Sequence, residues 1–127
     1  MMVSKKRPSC TINHQLVFTR CTTKVVYSIP LTCNRVYIGQ TGRCFNERAR
    51  EHYNLVKEGK SGHLAIHCRD CKCKPIFRKA KILGRGRDRM EREIIEAYHI
   101  RKAGGQYVSN ASLSLLDNEM AFLNHCG

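Results

Sequence analysis

The 127-residue chain carries 23 lysine and arginine residues against 10 aspartate and glutamate residues, a formal net charge of +13. Its hydrophobic fraction of 42% suits one domain with a modest core and makes a second folded domain unnecessary. The charge excludes a protein whose only partners are neutral small molecules. It favours a polyanion, and DNA in particular, as the partner.

The eight cysteines would suggest a disulfide framework in a secreted protein. However, the stretch from Met1 to Cys21 contains no apolar run long enough for a signal-peptide core. Reduced thiols are therefore expected. No run approaches the roughly 18 apolar residues that a membrane span requires. We expect a soluble, intracellular protein, in the cytosol or the nucleus, with the nucleus favoured.

Folded structure is expected to begin after a basic N-terminal arm. Residues 1–22 show no sustained helix or strand period, so we expect a disordered arm there and a folded domain over residues 23–125. Two segments rich in β-branched and aromatic residues, 25–29 and 35–39, flank the turn-forming residues 30–34. This pattern predicts a β-hairpin.

A helix is expected to follow the hairpin, from about Cys44 to Lys57, and glycine-containing residues 59–62 should end it. The apolar positions that recur with a helical period are Phe45, Ala49, Tyr53 and Val56. Arg48 and His52 lie four residues apart on this helix. They therefore project from nearly the same side of it.

A third strand and a second helix are expected next. Residues 76–83 have a strand composition, and Gly84 and Gly86 should break that strand. Asp88 then caps a helix that runs to about Lys102. The residues expected on its buried face are Met90, Ile94, Ala97 and Tyr98.

The predicted order is strand, strand, helix, strand, helix, loop, helix, and the last helix begins at about Ser112. The apolar residues that this last helix would pack are Leu113, Leu116, Met120 and Leu123. Residues 62–74, dense in His and Cys, are assigned no helix or strand. The expected fold class is α+β, with a small three-stranded antiparallel sheet flanked by helices.

The hairpin motifs Val25-Val26-Tyr27 and Tyr37-Ile38-Gly39 resemble the signature of GIY-YIG endonucleases. The chain is most similar to the endonuclease module of Penelope-like retroelements, over about residues 24–123. The residues that carry this likeness are Tyr37-Ile38-Gly39-Gln40-Thr41-Gly42-Arg43, Arg48, Glu51-His52, Glu96-Ala97 and Asn110. Val25 and Val26 depart from the family pattern, which has Gly-Ile there, and a valine removes the backbone freedom of glycine.

The resemblance implies a retroelement-derived, Mg²⁺-dependent DNA endonuclease that hydrolyses phosphodiester bonds. It implies that one phenol, of Tyr27 or Tyr37, contacts or deprotonates the attacking water while the other holds the site together. Arg48 would hold phosphate oxygens, which suits its guanidinium fork, and His52 would take part in general-base catalysis. Considered alone, Tyr27 and Tyr37 are typical of half-buried strand tyrosines. Considered alone, Arg48 and His52 are typical of exposed helix side chains.

The magnesium ion needs a hard oxygen ligand, and the second predicted helix offers Glu91, Glu93 and Glu96. Periodicity alone does not choose among them. The resemblance places the family's glutamate directly before an alanine, which selects Glu96 and leaves Glu93 as the reserve. It also adds Asn110 to the catalytic set, although asparagine between helices is more often a turn residue.

A second set of side chains has spacing that suits zinc: Cys33 from the hairpin turn, His63, His67, Cys71 and Cys73. Penelope-like modules carry a similar Cys/His motif, with two cysteines between the tyrosine motifs. Here only Cys33 lies there, with Leu31 near the second position. The hypothesis is a structural zinc site made by Cys33, His63, His67 and one of Cys71 or Cys73. Free buried thiols are the alternative.

Basic residues of the folded part are the candidates for DNA contact: Arg43, Arg50, Lys79, Arg85 and Arg87. Two other functions compete with the nuclease. One is a nucleic-acid-binding domain that has lost catalysis, which the altered Val25-Val26 would suggest, and the other is a zinc-stabilised protein-interaction domain. The retained residues favour the enzyme: Tyr27, Tyr37, Arg48, His52 and Glu96.

Overall fold

The computed structural model describes residues 20–104 together with His14, Phe18 and Val108. The elements of this part are β1 (Thr23–Pro30), β2 (Val36–Cys44), α1 (Phe45–Glu58), α2 (His63–Cys71), β3 (Lys81–Arg85) and α3 (Arg89–Lys102). A single 3-10 turn, Phe77–Lys79, precedes β3 in the described chain. The helix expected from Ser112 lies outside the described residues.

The strands form one antiparallel sheet in the order β2-β1-β3, so β1 is the central strand. In its pairing with β2, Tyr27 lies opposite Gly39 and Ile29 lies opposite Tyr37. The turn between these strands contains Asn34 in the left-handed conformation, with φ of 68°. The predicted hairpin is therefore confirmed. The predicted α+β class, a small three-stranded antiparallel sheet flanked by helices, is confirmed as well.

Successive residues of β1 face opposite sides of the sheet, and each side has its own helices. Val25, Tyr27 and Ile29 pack in the main hydrophobic core, which also contains Phe45 of α1. Val26 instead belongs to a smaller cluster with Ile100 of α3. The sheet is thus covered by α1 on one face and by α3 on the other. Within the described part, no helix is both long and apolar enough to cross a lipid bilayer.

Helices α1 and α3 lie where the sequence predicted them. Gly59 ends α1 in the left-handed conformation, with φ of 68°, and its N–H donates to the carbonyl oxygen of Leu55 at 2.8 Å. Asp88 caps α3, because its Oδ1 accepts a hydrogen bond from the N–H of Glu91 at 2.9 Å. Such a cap typically stabilises a helix by about 1 kcal/mol.

The buried faces of these helices differ from the expected ones. Tyr53 of α1 is 39% exposed, and the neighbouring His52 is buried in its place. Met90 of α3 is 59% exposed. The side chains of α3 that are buried are Arg92, Glu96, Ala97 and Ile100, whereas Ile94 and Tyr98 are half-buried. Polar side chains at two of these inner positions bond to the sheet, since His52 bonds to Tyr27 of β1 and Arg92 bonds to Gln40 of β2.

The third strand is shorter and later than predicted. Residues 77–79 form the 3-10 turn, and the strand occupies Lys81–Arg85 with Gly84 inside it, paired with Val26. The turn places Phe77 in the core, where its ring lies 5.2 Å from that of Phe18. Burial of this large side chain overrides the strand propensity of residues 76–80.

Helix α2 was not predicted. Its sequence, His63–Cys71, lacks a long apolar period, but Leu64, Ala65 and Cys68 are buried. Leu64 and Cys68 lie four residues apart and both belong to the main core. Tertiary packing of this short face therefore accounts for a helix that local propensity does not predict.

Parts of the expected N-terminal arm contact the folded domain. Phe18 packs against the main core, and His14 is buried. The backbone N–H of Phe18 donates to Oδ1 of Asn46 on α1 at 2.7 Å. Packed structure thus includes side chains that precede residue 23.

Candidate functional site

Tyr27 and His52 form the buried centre of the candidate site. Tyr27 lies in the middle of β1 and is fully buried, and His52 lies on α1 above the same face of the sheet. The hydroxyl oxygen of Tyr27 lies 2.8 Å from Nε2 of His52, which is a hydrogen bond. In the Nδ1–H tautomer of the imidazole, the phenol is the donor of this bond.

Gly39 makes the position of the Tyr27 hydroxyl sterically feasible. A Cβ atom on Gly39 would lie 2.6 Å from the Tyr27 hydroxyl oxygen and 3.0 Å from Cε2 of Tyr37. Any side chain at position 39 would therefore displace one of the two phenols. The glycine of Tyr37-Ile38-Gly39 is required by this close approach and not by an unusual φ angle.

Tyr37 is the more accessible of the two phenols. It is half-buried, its ring centroid lies 5.0 Å from that of His52, and the ring of Tyr27 is 6.4 Å away. Burial raises the pKa of both phenols, and the nearby charge of Arg48 opposes this change without cancelling it. Both phenols accordingly keep their protons at neutral pH.

His52 is held in its neutral form. Burial, together with the positive charge of Arg48, lowers the pKa of its imidazole to about 3, while Glu51 opposes this effect. An uncharged imidazole can accept a proton, which an imidazolium cannot. The sequence predicted that Arg48 and His52 project from the same side of α1, and the structure brings both to the tyrosines.

Arg48 is half-buried beside the two phenols. Its Nη1 donates to Oε1 of Glu51 at 2.9 Å. Burial would lower the pKa of its guanidinium, but Tyr27, Glu51 and Tyr37 together outweigh burial and raise that pKa. Arg48 is thus a permanent positive charge at the edge of the tyrosine pair.

Glu51 connects Arg48 with a second arginine. Its carboxylate receives two hydrogen bonds from Arg43, at 2.5 and 2.7 Å, as well as the bond from Arg48. These interactions, those of Arg43 first, lower the pKa of Glu51 to about 2. Arg43 also lies 3.3 Å from a carboxylate oxygen of Glu47. Of the predicted DNA-contacting residues, Arg43 is therefore already paired with acidic side chains.

Glu96 approaches the site from α3. It is buried, and its charge contributes to the raised pKa of both Tyr27 and Tyr37. Glu93, the reserve candidate, is instead engaged with Arg89 through an ion pair of 2.8 Å. The structure therefore separates two glutamates that helical periodicity could not. Asn110 lies outside the described residues.

The other basic residues predicted to contact DNA are exposed and lie on different elements. Arg50 is on α1, Lys79 is in the 3-10 turn, and Arg85 ends β3. Arg85 and Arg87 line a surface pocket of about 340 Å³ that is also lined by Lys24. These three cations make the pocket predominantly basic, although Glu91 also lines it.

Arg92 is a site-supporting residue that the sequence analysis missed. Its buried guanidinium donates to the side-chain oxygen of Gln40 on β2 at 2.9 Å and to the carbonyl oxygen of Gly86 at 3.0 Å. It thereby fastens α3, which carries Glu96, to the sheet and to the preceding loop. A lone arginine on an amphipathic helix gives no sequence signal for this role.

A group of four side chains has the composition of a structural zinc site: Cys33, His67, Cys71 and Cys73. Their ligand atoms all lie within 4.8 Å of one another. The Sγ of Cys33 and Nε2 of His67 are 3.5 Å apart, close to the sulfur–nitrogen edge of about 3.6 Å that tetrahedral Zn²⁺ would require. Cysteine and histidine ligands in this arrangement fit a metal such as zinc.

The group differs from the expected ligand set in two ways. It contains both Cys71 and Cys73, and it does not contain His63. His63 is the first residue of α2, one turn before His67, and so lies farther from the end of the helix where the cysteines gather. Burial would raise the pKa of Cys33, but hydrogen bonds from His67 and the backbone of Arg35 lower it to about 7.

The departure at Val25 and Val26 causes no backbone strain. Both valines are fully buried, and neither has a positive φ, although the pairing with β2 shifts register between Thr23 and Val25 and the pairing with β3 shifts between Val26 and Tyr27. Their side chains pack in the two hydrophobic clusters on opposite faces of the sheet. The tyrosine pair is therefore assembled without the glycine of the family pattern.

No model of a known protein family matches this chain, and neither a curated protein nor a solved structure shows significant similarity to it.

Proposed function

We propose that this chain is a GIY-YIG-type nuclease domain, similar to the endonuclease module of Penelope-like retroelements, that hydrolyses phosphodiester bonds in DNA. The observation that carries the proposal is the assembly of Tyr27, Tyr37, Arg48 and His52 on one face of the sheet, with the charge of Glu96 acting on both phenols. These residues come from two strands and two helices. Ordinary core packing does not require such a group of ionisable side chains.

In this proposal the two phenols have different tasks. Tyr27 is fully buried and bonded to His52, so it positions the imidazole. Tyr37 is half-buried and adjacent to His52, so it contacts the attacking water. For this step the imidazole is in the Nε2–H tautomer, in which Nε2 donates to the Tyr27 hydroxyl oxygen and Nδ1 is unprotonated. Nδ1 then takes the proton that the water loses, because both phenols are themselves protonated.

Arg48 is assigned to binding of the substrate, and Glu96 is assigned to binding of the metal. Arg48 combines a permanent charge with partial exposure, which suits contact with a phosphate oxygen. Glu96 supplies the hard carboxylate oxygen that would hold Mg²⁺. When bound, this ion stabilises the charge that develops on the phosphate and on the leaving oxygen. Asn110 is retained as a proposed member of the set by resemblance.

DNA is the proposed partner because of the charge and where it is exposed. The net charge of +13 favours a polyanion, and Arg50, Lys79, Arg85 and Arg87 are exposed for phosphate contact. Lys24 extends this basic surface at the pocket beside Arg85. A retroelement origin and a nuclear location belong to the same proposal.

Zinc at Cys33, His67, Cys71 and Cys73 is proposed as a structural ion. Cys33 belongs to the β1–β2 turn, and the other ligands belong to α2 or follow it. Two backbone contacts already join these segments, since the N–H of Thr32 donates to the carbonyl oxygen of Lys74 at 3.0 Å and Leu31 pairs with Pro75. The ion would fasten the hairpin to α2 in a domain with a small core.

The proposal is tested by incubating purified protein with supercoiled plasmid, with and without Mg²⁺. Tyr37→Phe removes the hydroxyl that we assign to the water and keeps the ring, and Tyr53→Phe removes an exposed hydroxyl from α1. We expect Mg²⁺-dependent nicking by the wild type and Tyr53→Phe, and loss of nicking by Tyr37→Phe. Tight DNA binding without cleavage by the wild type would overturn the enzyme and favour the binding domain.

A further inference from the structure

A second cysteine–histidine cluster lies at the open end of the β1–β2 hairpin. Cys21 lies two residues before the start of β1, and Cys44 is the last residue of β2. The strand pairing places Thr23 opposite Cys44, and the N–H of Phe45 donates to the carbonyl oxygen of Thr22 at 2.9 Å. The fold of the hairpin therefore brings the two thiols together, although they are distant in sequence.

His14 completes this cluster. Its Nε2 lies 3.4 Å from Sγ of Cys44, across a sequence separation of 30 residues. The ligand atoms of His14, Cys21 and Cys44 all lie within 4.8 Å of one another. The exposed fractions of these residues are 6%, 1% and 4%, so the cluster is enclosed by the protein.

The chemistry of the cluster suits a thiophilic metal ion better than a hydrophobic contact. The distance of 3.4 Å between imidazole nitrogen and sulfur is near the edge of about 3.6 Å expected when Zn–N is about 2.0–2.1 Å and Zn–S about 2.3 Å. The side-chain amide of Asn46 donates to Sγ of Cys21 at 3.7 Å. Such a donor favours the thiolate form that a metal requires.

We propose that His14, Cys21 and Cys44 supply three ligands of a second structural zinc site. This site shares no residue with the group around Cys33. The two groups lie at opposite ends of the hairpin, whose first strand has eight residues, a span of about 25 Å at about 3.3 Å per residue. The second ion ties residue 14 to the start of α1, so metal binding and N-terminal packing are coupled.

The proposed site of His14, Cys21 and Cys44 does not depend on the proposed nuclease activity, and its test measures bound metal directly. Elemental analysis of reduced, purified full chain should give about two equivalents of zinc for the wild type. Cys44→Ser and His14→Asn should each retain about one equivalent. His14→Cys should restore the second equivalent, because a thiolate can replace the imidazole as ligand. His99→Asn, on α3 and outside both groups, is the matched control and should keep two.

Cobalt provides a measurement on the unaltered chain, in case a variant fails to fold. Stepwise addition of Co²⁺ to metal-free wild type should produce thiolate-to-cobalt absorption that saturates at two equivalents. Cys33→Ser should keep the absorption of cobalt bound by His14, Cys21 and Cys44, and Cys44→Ser should lose that absorption. Saturation of the wild type at one equivalent, abolished by Cys33→Ser and unchanged by Cys44→Ser, would overturn the second site.

Discussion

Gly39 lies so close to Tyr27 that a Cβ atom on Gly39 would be 2.6 Å from the phenol oxygen. The same oxygen forms the 2.8 Å hydrogen bond to His52. The space left by Gly39 on β2 therefore permits the hydrogen bond between Tyr27 of β1 and His52 of α1. Gly39 is needed here because its missing side chain leaves room for the phenol of Tyr27.

Gly39→Ala should consequently displace Tyr27 and break its bond to His52. Overpacking of this kind typically costs about 1–3 kcal/mol of unfolding free energy, and cleavage should fall with it. Urea denaturation and plasmid nicking measure the two effects. Gly84→Ala on β3 is the control, because the added methyl there meets only the half-buried side chain of Ile95, at 3.2 Å, and neither tyrosine. Equal behaviour of the two variants would contradict the steric role of Gly39.

The buried His52 should make the fold sensitive to mild acid. Because its pKa falls from 6.5 to about 3 on folding, the unfolded chain binds one more proton between those values. The contribution of His52 to the free energy of unfolding is thus fully present above pH about 6.5. It is lost as the pH falls toward 3, by at most about 1.4 kcal/mol per pH unit. Glu51 acts in the same direction at lower pH, since its depressed pKa of about 2 lies below its ordinary 4.5.

The change in stability should be followed by urea denaturation between pH 7 and pH 5, above the range of Glu51. His52→Gln should flatten this dependence. His99→Gln is the comparison, because burial and Lys102 also lower the pKa of His99 but its side chain is half-buried. A wild-type slope that survives His52→Gln unchanged would show that another group carries it.

The hairpin, α1 and α3 were predictable because their signals are local. Segments rich in β-branched and aromatic residues, the helical period and Asp88 as a cap all act within a few residues of the chain. Helix α2 and the late start of β3 were not predictable in this way. Their positions depend on burial of Leu64 and Phe77 against distant parts of the core.

The candidate site shows the same division. Arg48 and His52 share a helix face, which spacing alone reveals, but the choice of Glu96 over Glu93 needed the resemblance. Omission of His63 from the metal group depends on where α2 ends, which spacing does not fix. The partnership of His14 with Cys44 spans 30 residues and follows no spacing rule.

The ligand set around Cys33 should be separable by substitution. Cys71→Ser should remove about one equivalent of zinc, because Cys71 belongs to the group of four ligands. His63→Asn should leave zinc content unchanged, because His63 lies outside that group. Elemental analysis with thermal unfolding of both variants decides this. Loss of zinc from His63→Asn would restore the ligand set expected from sequence spacing.

Arg48→Ala should abolish most cleavage while changing DNA affinity little. One phosphate contact among many contributes little to ground-state binding, but an electrostatic group in the transition state typically contributes about 10²-fold or more in rate. Arg50→Ala, an exposed neighbour on α1, is the control for charge alone. Equal loss of cleavage in both variants would assign the effect of Arg48 to overall charge.

The most direct test of the nuclease mechanism compares Glu96→Gln with Glu93→Gln in one assay of Mg²⁺-dependent plasmid nicking and DNA binding. Both substitutions keep the shape of the side chain and remove one negative charge from α3. Glu96→Gln should abolish nicking while DNA affinity stays level or rises, and Glu93→Gln, which loses only its pairing with Arg89, should cut normally. If Glu93→Gln fails to cut and Glu96→Gln cuts normally, the metal ligand is Glu93, one helical turn before Glu96. Normal cutting by both variants would contradict the nuclease mechanism itself.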